Sequence, residues 1–196
     1  MSGQIPVKAS KDGLVASAKA AQQGKGLPPV HLWNAPFTGE MDMRIARDGT
    51  WFHEGAPIHR EALVRLFSTI LRKDGDTYVL VTPVEKVRIE VEDAPFVAVD
   101  FDVSGEGGSQ VLSFTTNVGD TAVASAENPI RVARDAASDE PAPYVMVRAG
   151  LEARIDRKSF YRMVELGEHQ DVDGQSWFGV MSGGCFFPMI PSGELD

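Results

Sequence analysis

The chain has 196 residues, 43% of them hydrophobic and 24% charged, with a net charge of −9 at pH 7, which suits one globular domain or two small ones. The acid excess argues against a nucleic-acid backbone as partner, because phosphate neutralisation needs clustered Lys and Arg; none lies between Ile89 and Ile130, and none follows Arg162. The lone Cys185 excludes an internal disulfide framework and a cysteine-based zinc site, no apolar run reaches the roughly 20 residues of a membrane span, and the expected location is the reducing cytoplasm.

Residues 1–26 are rich in Ala, Lys, Gln, Gly and Ser. Asp12 to Gln22 can form a short helix, but Leu14, Val15 and scattered alanines offer little to bury, so the stretch reads as a flexible arm. No signal-peptide core is recognised in it. From Leu27, LPPVHLWNAPF is forced into an extended path by its paired prolines and reads as a strap docked through Val30, Leu32, Trp33 and Phe37.

Arg47-Asp48-Gly49-Thr50 carries the Asp-Gly hairpin signal between two alternating runs. A turn centred on Asp48 and Gly49 sets Ile45 opposite Phe52 and Arg44 opposite His53. Alternation then puts Met43, Ile45 and Phe52 on a core face, and Asp42, Arg44, Ala46, Trp51 and His53 on a polar one. A helix follows, with Leu63, Leu66, Phe67 and Ile70 as its apolar stripe. Ile58 and Leu63 form its staple, His59 is its N-cap, and Lys73 and Gly75 close it.

Tyr78–Val81 and Val84–Val91 read as strands joined through Thr82-Pro83, with Val87, Ile89 and Val91 inward. Further strands are predicted at Phe96–Val103, Gln110–Thr116, Ile130–Ala133 and Tyr144–Val147. A second helix spans Arg157–Leu166 behind an Asp156 cap, and Trp177–Met181 and Cys185–Met189 form the last pair. Ile58-His59-Arg60 and its helix match Ile155-Asp156-Arg157 and its helix, which predicts an internal duplication. The expected architecture is α+β: an arm (1–26), an N-terminal α+β subdomain (27–82), a β-rich C-terminal roll with one main helix (83–190) and a tail (191–196). The two subdomains pack together and share a strand–helix–strand motif.

Motifs for catalysis are absent from the sequence. The four histidines make no HExxH or i, i+4 pair, there is no GxSxG elbow, and the Gly105–Ser109 loop lacks the Lys of a phosphate loop. No residue is assigned to metal or catalysis, and the sequence identifies no cofactor. The polar residues Asp42, Arg44 and His53 read either as a structural ion pair, the plainer account, or as part of a small-anion pocket. In the second reading Arg44 and Arg60 hold the anion, Trp51 stacks on it, and Thr82, Glu85 and Lys86 line the crossing toward the other half. The leading expectation is a binding module for a small anionic or nucleotide-like ligand at the subdomain junction. The alternatives are a protein-interaction module using strand edges and the acidic segment Asp135–Glu140, or an acid–base enzyme.

The strings PPVHLWN, DMRIARDGTWFHEGAPI and LVTPVEKVRIEVEDAPF resemble the bacterial family known as domain of unknown function 1285, over about Leu27 to Met189. Ala35 and Thr38 stand where that family usually has Pro and Cys, and His59 where it has Gly. The resemblance implies a two-part α+β fold with duplicated motifs, a second part loosely like a pleckstrin-homology roll, a nucleotide-type ligand site between the parts and a role in signalling. It implies no catalytic residues.

Overall fold

The computed structural model describes residues 9–22 and 24–195, and the chain divides into two compact units between Asp93 and Ala94. The first unit holds helix α1 (Lys11–Ala21), a six-stranded sheet and helix α2 (Glu61–Thr69). Its strands are β1 (Phe37–Ile45), β2 (Trp51–His53), β3 (Ala56–Pro57), β4 (Leu71–Asp74), β5 (Thr77–Val81) and β6 (Lys86–Val91), in the spatial order β3-β2-β1-β6-β5-β4. Two antiparallel meanders, β1–β3 and β4–β6, therefore meet at one parallel seam between β1 and β6.

Lys11–Ala21 form a docked helix, which corrects the expectation of a flexible arm over that stretch; residues 1–8 and 23 of the expected arm lie outside the described residues. Ser10 caps it by accepting from the Gly13 N–H at 3.1 Å. Leu14 and Ala18, one turn apart, are completely buried, and α1 packs on α2. A two-residue stripe suffices because the neighbouring helix supplies the rest of the apolar surface. The strap includes a 3-10 turn at Val30–Leu32; the carbonyls of Val30 and Trp33 accept from Arg72 Nη1 at 2.7 and 2.8 Å.

The hairpin register is one residue away from expectation. Met43 pairs with His53, Arg44 with Phe52 and Ile45 with Trp51. The Gly49 N–H donates to the Ala46 carbonyl and the Ala46 N–H to the Thr50 carbonyl, both at 2.9 Å, and Gly49 sits at φ +88°. The loop is thus Arg47-Asp48-Gly49, a three-residue turn with glycine at its left-handed position. A slip of one residue exchanges the faces of a strand. Trp51 accordingly joins Met43 and Ile45 in the core, each at most 2% exposed, while Phe52 turns to the side of Arg44.

Helix α2 starts behind Arg60, not His59, and ends at Thr69 with Ile70 as C-cap. Ser68 and Thr69 donate their hydroxyls to the carbonyls of Arg65 and Leu66 at 2.7 and 2.6 Å, which weakens helix continuation. Leu71 then pairs with buried Leu80. Lys73 lies in β4 and Gly75 in its hairpin turn, so neither closes the helix. Nor does Thr82-Pro83 cross to another domain: it is the β5–β6 turn, and β6 is an inner strand of the first sheet. The first unit consequently extends well past residue 82.

The second unit contains β7 (Phe96–Ser104), β8 (Val111–Thr116), β9 (Thr121–Val123), β10 (Ile130–Arg134), β11 (Pro141–Arg148) and β12 (Leu151–Ile155) in a sheet ordered β10-β11-β12-β7-β8-β9. Here too, two three-stranded meanders meet at a parallel seam, β12 beside β7. This is the topology of the first sheet repeated. The second sheet curls far enough for β9 to contact β11, and Arg148 of β11 pairs with Asp120 of the β8–β9 turn. Phe101 and Phe114 pack in its core with their rings tilted by 40° and centroids 5.2 Å apart. Helix α3 (Arg157–Val164) begins at the expected cap, where Asp156 accepts from the Ser159 N–H at 2.8 Å. A separate three-stranded sheet follows: β13 (Glu168–Val172), β14 (Gln175–Ser182) and β15 (Cys185–Pro191).

The fold is therefore α+β in two units with duplication at two scales. Each unit has a six-stranded sheet of the same strand order, and a helix leading into an antiparallel meander occurs as α2–β4–β5–β6 and again as α3–β13–β14–β15. Only the second was visible as a sequence match. No helix among the described residues is long and apolar enough to cross a membrane.

Candidate functional site

All eight residues singled out from sequence lie in the first unit, and the fold scatters them. Trp51 is core, stacked on Phe67 of α2 with centroids 6.1 Å apart at 18°, so it offers no ring to a ligand; the expected stacking role is corrected by the hairpin register. Thr82 is fully buried. Its hydroxyl accepts from the N–H groups of Val84 and Glu85 at 3.3 and 3.2 Å, which holds the β5–β6 turn. Glu85 contributes its carbonyl to the same turn, accepting from the Thr82 N–H at 2.9 Å. His53 is largely covered, with Nδ1 4.0 Å from a Glu54 carboxylate oxygen. Arg60 is exposed at the start of α2.

Lys86 belongs to a structural ion cluster. Asp74 accepts from Arg72 Nε and Nη2 at 2.6 and 2.9 Å, and Lys86 Nζ lies 3.2 Å from the same carboxylate. The bidentate Arg72 hydrogen bonds, helped by Lys86, hold the Asp74 pKa below its ordinary 3.8. A depressed carboxylate stabilises the fold above its unfolded pKa and loses that contribution as pH falls through the folded value. Asp74→Asn should therefore cost roughly 1 kcal/mol at neutral pH, a modest figure because the pair is partly exposed. In urea titrations the gap to wild type should close as pH drops below 3.8; a gap constant down to strong acid would contradict the assignment.

Asp42 and Arg44 do stand together, on the face of the first sheet opposite Trp51. That face floors an open hollow of about 790 Å³, which also takes in Phe52, Glu40, Arg88 and Glu90. Arg44 lies over the Phe52 ring, its Cζ 4.3 Å from the centroid, and pairs with Glu92. Glu92 also accepts from the Arg47 backbone N–H at 3.0 Å. Arg88 of β6 pairs with Glu40 of β1. Five carboxylates, those of Glu40, Asp42, Asp76 and Glu90 in the lining and of Glu92 on Arg44, thus accompany two guanidinium groups. A bare anion would meet net negative charge here, whereas a planar ligand with an anionic group at one end and hydrogen-bond donors or a cationic group at the other finds a partner for each. Sequence reasoning missed Phe52 because the assumed register turned it inward. Arg88 was visible in the β6 alternation but had no reason to be grouped with β1 until the parallel seam was known.

Among the described residues no three His, Cys, Asp or Glu side chains gather as a metal site requires. The acidic segment Asp135–Glu140 forms the β10–β11 hairpin loop and folds on itself: Asp135 Oδ1 accepts from the N–H groups of Ala137 and Ser138 at 3.0 and 3.1 Å.

Fold and face together define a two-unit α+β protein with a repeated six-stranded sheet and a polar, aromatic-floored hollow on the first of them. Residues 28–94 match the model of the DUF1285 N-terminal domain, and residues 95–189 that of the DUF1285 C-terminal domain, both described as of unknown function. The chain belongs to the DUF1285 family. A crystal structure of a DUF1285 family protein from Silicibacter pomeroyi DSS-3 is 63% identical, with a TM-score of 0.85, covering 93% of this chain and 97% of that one. Another, from Shewanella baltica OS155, is 28% identical with a TM-score of 0.50, covering 64% and 91%. No curated protein matches the sequence.

Proposed function

We propose that the chain is a cytoplasmic binding module for a small, nucleotide-like or similarly planar ligand, held on the open face of the first sheet. The reading rests on one observation above all: Arg44 laid over Phe52 at 4.3 Å on the floor of the hollow, with Asp42 beside it. The guanidinium and ring form a flat platform for a planar group. An anionic group of the ligand exchanges for Glu92 on Arg44 or for Glu40 on Arg88. Hydrogen-bond donors of the ligand meet Asp42 and Glu90. The surplus of carboxylates refines the expected ligand from simply anionic to amphoteric.

A thermal-shift panel of nucleoside monophosphates and aromatic amino acids tests it, with inorganic phosphate and spermidine as single-sign controls. At a hundredfold excess over Kd the binding member should stabilise the protein by about 2.7 kcal/mol, and Arg44→Ala should abolish that ligand-induced shift. Failure of every amphoteric compound to stabilise wild type, or an undiminished shift in Arg44→Ala, would remove the reading. A response to spermidine alone would point instead to a basic protein segment as partner.

A further inference from the structure

We infer a second ligand site, contained within the second unit, that takes a compact aromatic anion. Its cavity of about 430 Å³ is walled by the start of β11, the end of β12 and the first turns of α3, a volume in the range of small-molecule sites. Arg154 and Arg157 supply two guanidinium groups. Phe160 and Tyr161 supply rings, and Pro141 and Pro143 face them with rigid apolar surface.

Several features point to an occupant. Tyr161 is 57% exposed, so much of its ring lies in water. Arg157 Nε donates to the Tyr161 hydroxyl at 3.1 Å, with Cζ 5.8 Å from the ring centroid. One turn of helix thus joins an aromatic face to a positioned guanidinium whose Nη groups are not used by that bond. The tyrosine hydroxyl also keeps Arg157 more firmly protonated. Two arginines on one cavity stand out in a chain of net charge −9. The carboxylates nearby do not cancel them equally. Asp156 is committed to the Ser159 N–H at 2.8 Å as the α3 cap, which also removes the helix end itself as an anion holder. Glu140 also lines the cavity and faces the Arg157 charge, so it offsets part of that charge and disfavours a ligand with a second anionic end. What remains is a preference for one carboxylate or phosphate head on the arginines and a ring packed against Tyr161, Phe160 and the prolines.

The duplication adds perspective. Arg157 aligns with Arg60 in the sequence match, but in the structure Arg60 is the N-cap of α2 whereas Arg157 is the first residue of α3, behind the Asp156 cap, and stands on the aromatic-walled cavity.

The test uses phenyl phosphate and benzoate as probes on the full-length protein, followed by ligand-observed and ¹H–¹⁵N NMR. Wild type should bind at least one of them saturably, with a Kd of about 1 mM or tighter, and whichever binds better identifies the head group. Arg157→Gln and Tyr161→Ala should each weaken binding about tenfold while keeping a dispersed spectrum, and Arg157→Lys should recover part of the loss. Arg44→Ala should leave these probes unaffected, so this site and the first-sheet face stand or fall separately. Absence of saturable binding by wild type, equal binding of inorganic phosphate, or unchanged affinity in both Arg157→Gln and Tyr161→Ala would overturn the assignment.

Discussion

Replacing Trp51 with alanine should destabilise the first unit by about 3–5 kcal/mol, the range for truncating a large buried aromatic. Only 1% of Trp51 is exposed, and its ring fills the space between β1 and Phe67 of α2. Alanine leaves a cavity there that a packed sheet–helix layer closes only in part. Trp51→Phe should be much milder, about 1–2 kcal/mol. It keeps a stacked ring and removes a buried indole N–H that finds no hydrogen-bond partner among the described residues. Denaturant unfolding of both variants decides the matter. A loss below about 1 kcal/mol for Trp51→Ala would mean a surface position and would restore the two-residue turn read from sequence.

The second large effect is expected at Gly179, in the middle of β14. A Cβ there would lie 2.3 Å from the Phe187 carbonyl oxygen and 2.6 Å from the Phe186 ring. The obstacle is backbone, which cannot rotate aside, and it comes where β15 carries a register shift against β14. Gly179→Ala should cost about 3 kcal/mol or more. Gly184, at the tip of the same hairpin with φ +76°, has nothing within 4 Å of its added Cβ, and its alanine variant should lose only about 1 kcal/mol. Equal losses at the two positions would show that close approach is not what reserves Gly179.

The two predictions mark the boundary of what was legible in the chain. Local signals were reliable where a single element decides: the α2 stripe, the inward Val87 and Ile89, and the Asp156 cap. They failed where two local solutions differ by one residue or where a partner comes from afar. Asp48-Gly49 suits a two-residue turn and a three-residue turn with glycine last equally well, and only packing of Trp51 against Phe67 selects the latter. Ile70-Leu71 continues a helical stripe as readily as it opens a strand, and pairing of Leu71 with Leu80 settles it. For the candidate site, Asp42 and Arg44 were found because alternation along β1 is local. Arg88, Phe52 and Glu92 depended on register and seam. Arg154, Arg157 and Tyr161 could not be grouped with Pro141 and Pro143 from sequence, because only the pairing of β11 with β12 brings them to one cavity.

The parallel seams bear on how the chain folds. Each meander is built from neighbouring hairpins and can form early, whereas β1 must wait for β6, and β7 for β12, to be brought from distant sequence. Until a seam closes, both of its strands are free edges, the feature by which sheets join the wrong partner. In the first sheet those edges carry Glu40, Asp42 and Arg44 on one side and Arg88 and Glu90 on the other. Charges so placed hinder pairing with a stray copy of the same strand and, through Arg88–Glu40, favour the rightful one. The same side chains that line the hollow in the finished protein thus guard an unfinished one.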